Sequence, residues 1–396
     1  MGHIPTGLDK VHFSRAALLL MAGAFFILGG ASSSVSPDKV GDTSYLEGTV
    51  TVQRDGQNLD SSEVQTGLEI ENYDLVKTAA DGLAEVSITT PRSAGATIKV
   101  SPHTQFSFEL NNTGSRQQSF VGLMSGTVAL AVAKLTSSQD MMVHTESAVM
   151  GVRGTEFSVT APPTGDVLVT CKSGEVVITD EQGNEFHATP GTAVVKMFGQ
   201  PLGTLAVTGD VDAFRKSWED QRMAFLKEHA IDVIQREARR YDALVDEFDT
   251  EFAALQEKKE ILAKWRAEEK KGVTGVGDEV EKEKAEIAVL LADLRETQFL
   301  LERVHYRLAA LKELHDQGFG DGDIRKGLTA SEFFERFEKD RAALELQLAD
   351  VRYVTKLFAR QNKGLDPTVV ADLRLFYERR LARLKRLELK KPIKKS

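Results

Sequence analysis

Cysteine is nearly absent from this sequence, since Cys171 is the single one among 396 residues. An intrachain disulfide is therefore excluded, even in an oxidising compartment. Cys171 shares the strand parity of Val167 and Val169 in DVLVTCKSG. This parity predicts a packed thiol rather than a reactive one.

Positive charge is in deficit, because 50 Lys and Arg residues oppose 59 Asp and Glu residues and leave a formal charge of −9. A nucleic-acid-binding protein needs a basic face to neutralise phosphates, so this class of protein is not indicated. Apolar residues make up 41% and charged residues 28% of the chain. This balance is ordinary for a globular protein, and the length allows two or three domains.

Sequence patterns that support catalysis or metal binding are also lacking. The eight histidines are scattered without HxxxH, HxH or Cys–His spacing, and His144 is predicted on a strand that faces a rim. The glycine-rich stretch 272–277 follows no predicted strand and lacks a phosphate-binding lysine. The segment 316–333 contains aspartates, but it lacks the alternating oxygen ligands and the final glutamate of a calcium loop. We therefore expect no enzymatic activity, no cofactor and no metal site.

The N-terminal region carries the apolar run AALLLMAGAFFILGGA, preceded by basic residues. Gly29 and Ala31 stand at the spacings that a signal peptidase recognises. We predict a signal peptide over residues 1–31, a linker over 32–44, and a periplasmic or otherwise extracytoplasmic location. An uncleaved inner-membrane anchor is the alternative, because short anchors that contain glycine exist.

Residues 45–202 show apolar residues at every second position, in short runs bounded by Gly, Asp, Asn and Pro. This is the pattern of half-buried strands, as in GTVTVQ, LAEVSITT, TQFSFEL and GTVALAV. Glycine opens a strand in EGTVTV, SGTVAL and SGEVVI, but the unequal intervals do not establish a regular repeat. We predict an all-β domain over 45–202, either a wound β-solenoid-like stack or a sandwich.

Residues 210–392 change to helical periodicity with long charged faces, so the chain as a whole is predicted to be multidomain α+β by segment. Two stretches, 211–271 and 279–316, carry apolar seams and are separated by KKGVTGVGD. The seams comprise Tyr241, Val245, Phe248, Phe252, Leu255 and Leu262, with Lys259 as a polar interruption, and then Ile287, Leu291, Leu294, Leu301, Leu308 and Leu311. We predict a helical bundle or coiled-coil hairpin within one chain, and oligomerisation through the two seams is the alternative.

Two further helices and a basic tail are predicted toward the C-terminus. Thr329 or Ser331 caps the third helix, and Pro367 fits the first turn of the fourth. The last twenty residues contain nine Lys or Arg. This tail is suited to contact with anionic lipid headgroups or other acidic envelope polymers, and a solvated helix end is the alternative.

The stretch MMVHTESAVMGVRGTEFSV joins small and apolar residues to an alternating strand through Arg-Gly-Thr. Gly151 and Gly154 bracket Arg153 and predict two backbone turns within four residues, close to a neighbouring strand. The Arg153 guanidinium suits unpaired carbonyl oxygens at such a corner, although a ligand-binding arginine would use the same chemistry. Phe157 is predicted to be on the buried face of the following strand.

This stretch, with the preceding GTVALAV and the following VTCKSGEVVIT, resembles the FecR domain. The most recognisable element of that domain is a run of small residues that leads into Arg-Gly-Thr and an aromatic residue. The corresponding positions here are Ala148, Arg153, Gly154, Thr155 and Phe157, and Gly151 completes the structural motif. The resemblance covers residues 45–199 and implies an extracytoplasmic, all-β, non-enzymatic module. In its best-known setting the module relays the occupancy of an outer-membrane iron–siderophore receptor to a sigma factor.

The chain departs from that setting, because only about fifteen residues precede the apolar run and a charged helical region follows the β domain. We therefore expect a binding or sensing adaptor of the bacterial cell envelope. Its β module would recognise a protein or glycan, and its helices would couple or present that partner. A scaffold that oligomerises through its helices is the alternative, and a regulator of sigma-factor-dependent iron uptake is less favoured.

Overall fold

A computed structural model of the chain describes residues 38–88, 95–112, 117–133, 139–152, 154–180 and 183–362. Within these residues, 17 strands form the β region. Their bounds are β1 Lys39–Glu47, β2 Val50–Arg54, β3 Gln57–Asn58, β4 Glu69–Glu71, β5 Leu75–Thr78, β6 Leu83–Ile88, β7 Ala96–Val100, β8 Gln105–Asn112, β9 Gln117–Val132, β10 Gln139–His144, β11 Val149–Val152, β12 Glu156–Ala161, β13 Val167–Ser173, β14 Val176–Thr179, β15 Glu185–Ala188, β16 Thr192–Lys196 and β17 Leu202–Ala206.

The strands form where the sequence alternates. In β6 and β7 every second residue is buried, as Val86 and Ile98 show, and the residues between them are more exposed. The prediction of a strand-rich region followed by helices is confirmed. Its start differs, because β1 already begins at Lys39, within the segment predicted to be a linker.

Strand pairing divides the β region into two sets that share β9. Residues 117–125 of β9 pair with β8 and β10, whereas residues 126–132 pair with β7 and β12. Gly126 lies at this change of partners with a φ of 99°. A Cβ at this position would lie 2.3 Å from Thr104 Oγ1, so only glycine fits the change of direction.

The wound β-solenoid is not supported by this topology. Among the described residues of the β region, the strand pairs are antiparallel apart from the parallel pair of β9 and β10. A wound stack would instead place successive turns in parallel register. Consecutive strands pair as hairpins, as in β6–β7 and β12–β13, whereas other pairs such as β2–β5 and β13–β16 join strands that are separated in the sequence.

One apolar core fills the β region and takes side chains from both sets of strands. Phe157 of β12 lies between Leu130 of β9 and Cys171 of β13 in register, and its side chain is buried. Cys171 is 2% exposed, and burial raises the pKa of its thiol. Cys171 is therefore a packed core residue, as its strand parity predicted.

Five helices follow within the described residues. Their bounds are α1 Val211–Glu228, α2 Ala230–Gln256, α3 Lys259–Lys270, α4 Asp278–Asp316 and α5 Ala330–Gln361. The predicted stretch 211–271 is thus interrupted at His229 and again before Lys259. A hairpin of β18 (Asp323–Arg325) and β19 (Leu328–Thr329) connects α4 to α5.

Helix ends follow the predicted signals in part. Thr329, rather than Ser331, caps α5, and it forms a reciprocal capping box with Glu332. Asp210 caps α1 by accepting a hydrogen bond from Ala213 N at 2.9 Å. The predicted signal peptide, the fourth helix with Pro367 and the basic tail lie outside the described residues.

The apolar seams of the helices are buried within the single chain. Leu294, Leu301 and Leu308 of α4 are 0% exposed, and they pack with residues of α2 and α5. Val245 and Phe252 of the first seam are partly buried against the same cluster. In the part of the chain that the structure describes, no helix combines the length and the apolar character needed to cross a bilayer.

Candidate functional site

The predicted motif lies around the loop between β10 and β11 and the turn that leads into β12. Ala148 is buried, and its carbonyl accepts hydrogen bonds from Thr145 N and Thr145 Oγ1 at 3.0 and 3.2 Å. Gly151 lies within β11, opposite Met142 of β10 and Val177 of β14. The prediction of a turn at Gly151 is therefore wrong, because both neighbours hold this residue in a regular ladder. Arg153 lies outside the described residues.

A turn occurs at Gly154, whose φ is 66°. The next residue, Thr155, is 2% exposed, and its carbonyl accepts a hydrogen bond from Val132 N at 2.9 Å. Gly174 packs against this turn, since a Cβ there would lie 2.7 Å from Thr155 Cγ2. Gly154 and Gly174 therefore allow two turns to lie in direct contact, with Phe157 buried just beyond them.

Glu146 projects from the same β10–β11 loop into a group of arginines on the helices. Its carboxylate forms ion pairs with Arg240 of α2 and with Arg307 of α4. Glu237 of α2 is the second anion, and it accepts hydrogen bonds from Arg240 Nη1 at 3.2 Å and from Arg236 Nε at 2.7 Å. We call these five residues the coupling cluster, because they join a loop of the β region to two helices.

The coupling cluster is removed from solvent except at Arg236, whose side chain is 18% exposed. The side chains of Glu146, Glu237 and Arg240 are 9%, 0% and 3% exposed. Burial by itself raises the pKa of both glutamates, but the nearby guanidinium charges outweigh it and hold each pKa below its usual range. Because each buried ion costs several kcal/mol to desolvate, the cluster is favourable only while every member keeps its partners.

A second polar contact joins α5 to the β region. Glu345 of α5 lies 2.9 Å from Lys77 Nζ of β5 and 3.3 Å from His305 Nε2 of α4. Burial lowers the pKa of His305. Burial opposes ionisation of Glu345 as well, yet the hydrogen bond with His305 and the charge of Lys77 lower its pKa. Further ion pairs and hydrogen bonds along α5 are Arg352 with Gln53, Lys356 with Asp55 and Glu71, and Arg360 with Asp38.

Apolar contact between the β region and the helices is small by comparison. The two main cores are separate clusters. Two minor clusters contain residues of both the β region and the helices. One surrounds Trp218 of α1, and the other is formed by Leu75, Met124 and Tyr306. Interfaces with this polar character resemble those between domains that move or between transient partners.

A groove with a volume of 460 Å³ opens beside the coupling cluster, between loops of the β region and the junction of α1 and α2. Phe198 and Phe225 are its aromatic side chains. Arg236 lies with its guanidinium carbon 3.6 Å from the centroid of the Phe198 ring. Since Arg236 also donates to Glu237, this one arginine belongs to both the groove and the cluster.

Three arginines (Arg222, Arg236 and Arg239) and two aspartates (Asp166 and Asp232) line the groove. Arg222 donates to Asp166 Oδ2 at 2.6 Å and stacks on Phe225. Arg239 is exposed and forms no ion pair with a described residue. Guanidinium groups beside aromatic rings are suited to a ligand that carries a carboxylate on an apolar body.

Sequence reasoning missed the coupling cluster, because its helical charges were interpreted as solvated faces. Glu146 had one available signal, because it is an acidic residue inside the stretch MMVHTESAVMGVRGTEFSV that carries the motif. His144 lies on a strand, β10, as predicted, but it does not face a rim, because it is buried and its ring contacts Phe120 edge-on with centroids 4.9 Å apart. Among the described residues, no group of three or more His, Cys, Asp or Glu side chains is placed to hold a metal ion.

Comparison with known proteins identifies the β region. Residues 74–177 match the family model described as FecR protein. The chain contains a FecR domain. The matched segment runs from the residue before β5 into β14, so it includes the Arg-Gly-Thr turn and the loop that carries Glu146. The helical partners of Glu146 lie outside the FecR match.

Two solved structures show partial similarity. Both are crystal structures described as a "putative anti-sigma factor" from Parabacteroides distasonis ATCC 8503, with 16% and 17% identity and TM-scores of 0.30 and 0.23. The alignments cover 35% and 34% of this chain, and 61% and 55% of those chains. This chain thus spans less than two thirds of either structure, and scores this low carry no argument about function. Among curated proteins no match was found.

Proposed function

We propose that this protein is a non-enzymatic binding or sensing adaptor of the bacterial cell envelope, in which the FecR domain and the helices act as one coupled unit. The coupling cluster carries this proposal. It fixes a loop of the FecR domain, through Glu146, to Arg240 of α2 and Arg307 of α4. If the loop moves relative to α2 and α4, buried opposite charges separate, which costs free energy. The helices therefore either hold the loop in place or move with it.

The groove supports a sensing role, because it shares Arg236 with the coupling cluster. A partner carboxylate that pairs with Arg236 competes with Glu237 for the same guanidinium. The partner then binds with different free energies when Arg236 is paired with Glu237 and when this pair is broken. Such a difference is what allows a ligand to shift a conformational equilibrium. Arg239 and Phe225 at the groove supply further contact for a partner.

Extracytoplasmic placement is part of the proposal. It is supported by the N-terminal apolar run and by the presence of a FecR domain. A scaffold that oligomerises through its helices is less well supported, because seam residues such as Leu301 and Leu308 are buried within one chain. A role in iron-uptake signalling has no specific support from the described residues.

Capture of partners from envelope extracts tests the proposal, with the full chain as bait. The Arg239→Glu variant changes the groove, and Lys326→Glu is the matched control because Lys326 is exposed in the β18–β19 hairpin and forms no ion pair with a described residue. We expect the native chain and the control to retain a partner that Arg239→Glu loses. A chain that is a stable oligomer in solution and whose capture is unaffected by Arg239→Glu would favour the scaffold instead.

Coupling is tested separately by hydrogen exchange. In the Glu146→Gln variant we expect faster amide exchange in α2 and α4 as well as in the β10–β11 loop. Faster exchange confined to the loop would mean that the two regions are in contact but are not coupled.

A further inference from the structure

The connection between α3 and α4 is a tip with exposed apolar side chains. Val276 is 90% exposed and Val273 is 51% exposed. Lys270 and Lys271 precede them, and both are exposed and form no ion pair with a described residue. Transfer of valine side chains with this exposure from water into an apolar phase is favourable.

The C-terminal end of the described chain lies at this tip. Gln361, at the end of α5, accepts a hydrogen bond from Gly275 N at 3.1 Å. The amide of Gln361 also donates to Glu268 Oε2 of α3 at 2.8 Å. The last described residues of the chain therefore lie beside the α3–α4 tip.

The N-terminal end of the described chain lies at the same place. Arg360 Nε donates to Asp38 Oδ2 at 2.7 Å, and Arg360 Nη1 lies 3.3 Å from Glu269 Oε1, near the end of α3. Asp38, the first described residue, thus lies next to the end of α3 at the tip.

Both adjoining segments have compositions that suit a membrane. Residues 16–31 form the apolar run AALLLMAGAFFILGGA, and residues 377–396 contain nine Lys or Arg. Apolar runs enter the hydrocarbon region, whereas clustered basic residues bind anionic headgroups. In the sequence, the apolar run thus precedes the first described residue and the basic residues follow the last, and both of these described ends lie at the tip.

We propose that this end of the protein faces the membrane and that the α3–α4 tip inserts shallowly into the phospholipid bilayer through Val273 and Val276. Gly272 and Gly277, with φ of 66° and 107°, let the loop present both valines outward. Asp278 and Glu279 follow the valines, so the tip is not basic by itself. The tip supplies the apolar insertion, and a preference for anionic lipid is expected only from the composition of residues 377–396.

A fluorophore attached at the tip tests the proposal on the full chain. Cys171 is replaced by alanine, and Val276→Cys is labelled with an environment-sensitive dye. The control carries the label at Lys326→Cys, beyond the other end of α4, a helix of 39 residues and hence about 58 Å long. The probes are vesicles of phosphatidylcholine with or without phosphatidylglycerol, containing nitroxide-labelled lipid as a quencher.

We expect a blue shift and several-fold stronger lipid quenching at position 276 than at position 326. Because the two labels share every other route of membrane attachment, the comparison does not depend on cleavage of the N-terminal segment. Equal quenching at the two positions, or no quenching at 276 while the chain is vesicle-bound, would overturn the proposal. Protection of the 276 label by a protein from envelope extract, without lipid quenching, would show that the tip binds a protein instead.

A second variant examines the apolar contribution. Val273→Ser with Val276→Ser should reduce quenching of a dye attached at Lys271→Cys several-fold, whereas Val289→Ser on the exposed face of α4 should not. Val289 is a matched control because it is 70% exposed and lies along the helix, away from the tip. Unchanged quenching in the double variant would contradict insertion through the valines.

Discussion

Replacement of Glu146 with glutamine removes one of two anions from a buried group of three arginines and keeps the shape of the side chain. Arg240 and Arg307 then share Glu237 as their remaining buried anion. Removal of one partner from a buried ion pair costs about 3–5 kcal/mol, because the opposite charge stays desolvated. Domains are stable by only about 5–15 kcal/mol, so this is a large fraction of the total.

Urea unfolding followed by Trp fluorescence and far-UV circular dichroism measures this loss. Urea is preferred to guanidinium chloride because the salt would screen the interaction under study. With an m value of about 3 kcal/mol/M, the urea concentration at the unfolding midpoint should be lower than that of the native chain by about 1 M or more. Trp218 and Trp265 both lie on helices, so their fluorescence reports whether the helices respond to a change in the FecR domain.

Glu156→Gln is the matched control. Glu156 also belongs to the β region, but its side chain is 55% exposed and lies 3.8 Å from Lys172 Nζ. An exposed pair of this kind contributes about 0–1 kcal/mol, so the midpoint should stay close to that of the native chain. If Glu146→Gln unfolds at the same urea concentration as Glu156→Gln, the coupling cluster does not stabilise the fold and our reasoning is refuted.

Three further predictions concern the turn at Gly154, the pH dependence of the contribution of Glu146, and the buried seam residue Leu308. Gly154→Val should destabilise the FecR domain by about 1–3 kcal/mol in thermal or urea unfolding, because Gly154 has a φ of 66°. Gly203→Val is the control, because no atom lies within 4 Å of the new Cβ at that site. Equal losses of stability in the two variants would contradict a strained turn. The stability difference between the native chain and Glu146→Gln should depend on pH: the pKa of Glu146 is lowered in the folded state from 4.5, so its contribution is present above that value and is lost as the pH falls below it. A difference that stays constant down to pH values well below 4.5 would disprove this assignment. Leu308→Ala should cost about 2–5 kcal/mol at any protein concentration, because Leu308 is 0% exposed within one chain; Leu346→Ala, at 53% exposure, should cost much less, and a loss that depends on protein concentration would point to an intermolecular coil.

Most of the elements could be predicted from the sequence. The alternation in LAEVSITT and the seam from Ile287 to Leu311 each specify which face of a strand or helix is buried, because the period of the pattern matches the geometry of the element. The same kind of local signal limited the cap of α5 to Thr329 or Ser331, and the structure selects Thr329.

The predictions from the sequence were wrong at residues whose conformation or burial depends on neighbours that are distant in the sequence. Gly151 was expected to turn, but Met142 and Val177 hold it in a ladder from both sides. His144 was expected at a rim, but Phe120 covers it. Propensity cannot report such neighbours, because strand pairing is settled by contacts across the whole domain.

The sequence by itself determined the order of strands and helices, the packed thiol of Cys171 and the motif that marks a FecR domain, because these depend on local spacing and composition. Only the tertiary structure decided which charges are buried, that Glu146 meets Arg240 and Arg307, and that Asp38, Gly275 and Gln361 lie at one end of the molecule. The local sequence around a glutamate does not indicate whether its carboxylate will be exposed to solvent or buried in the folded protein. Its role is set by the charges that folding places around it.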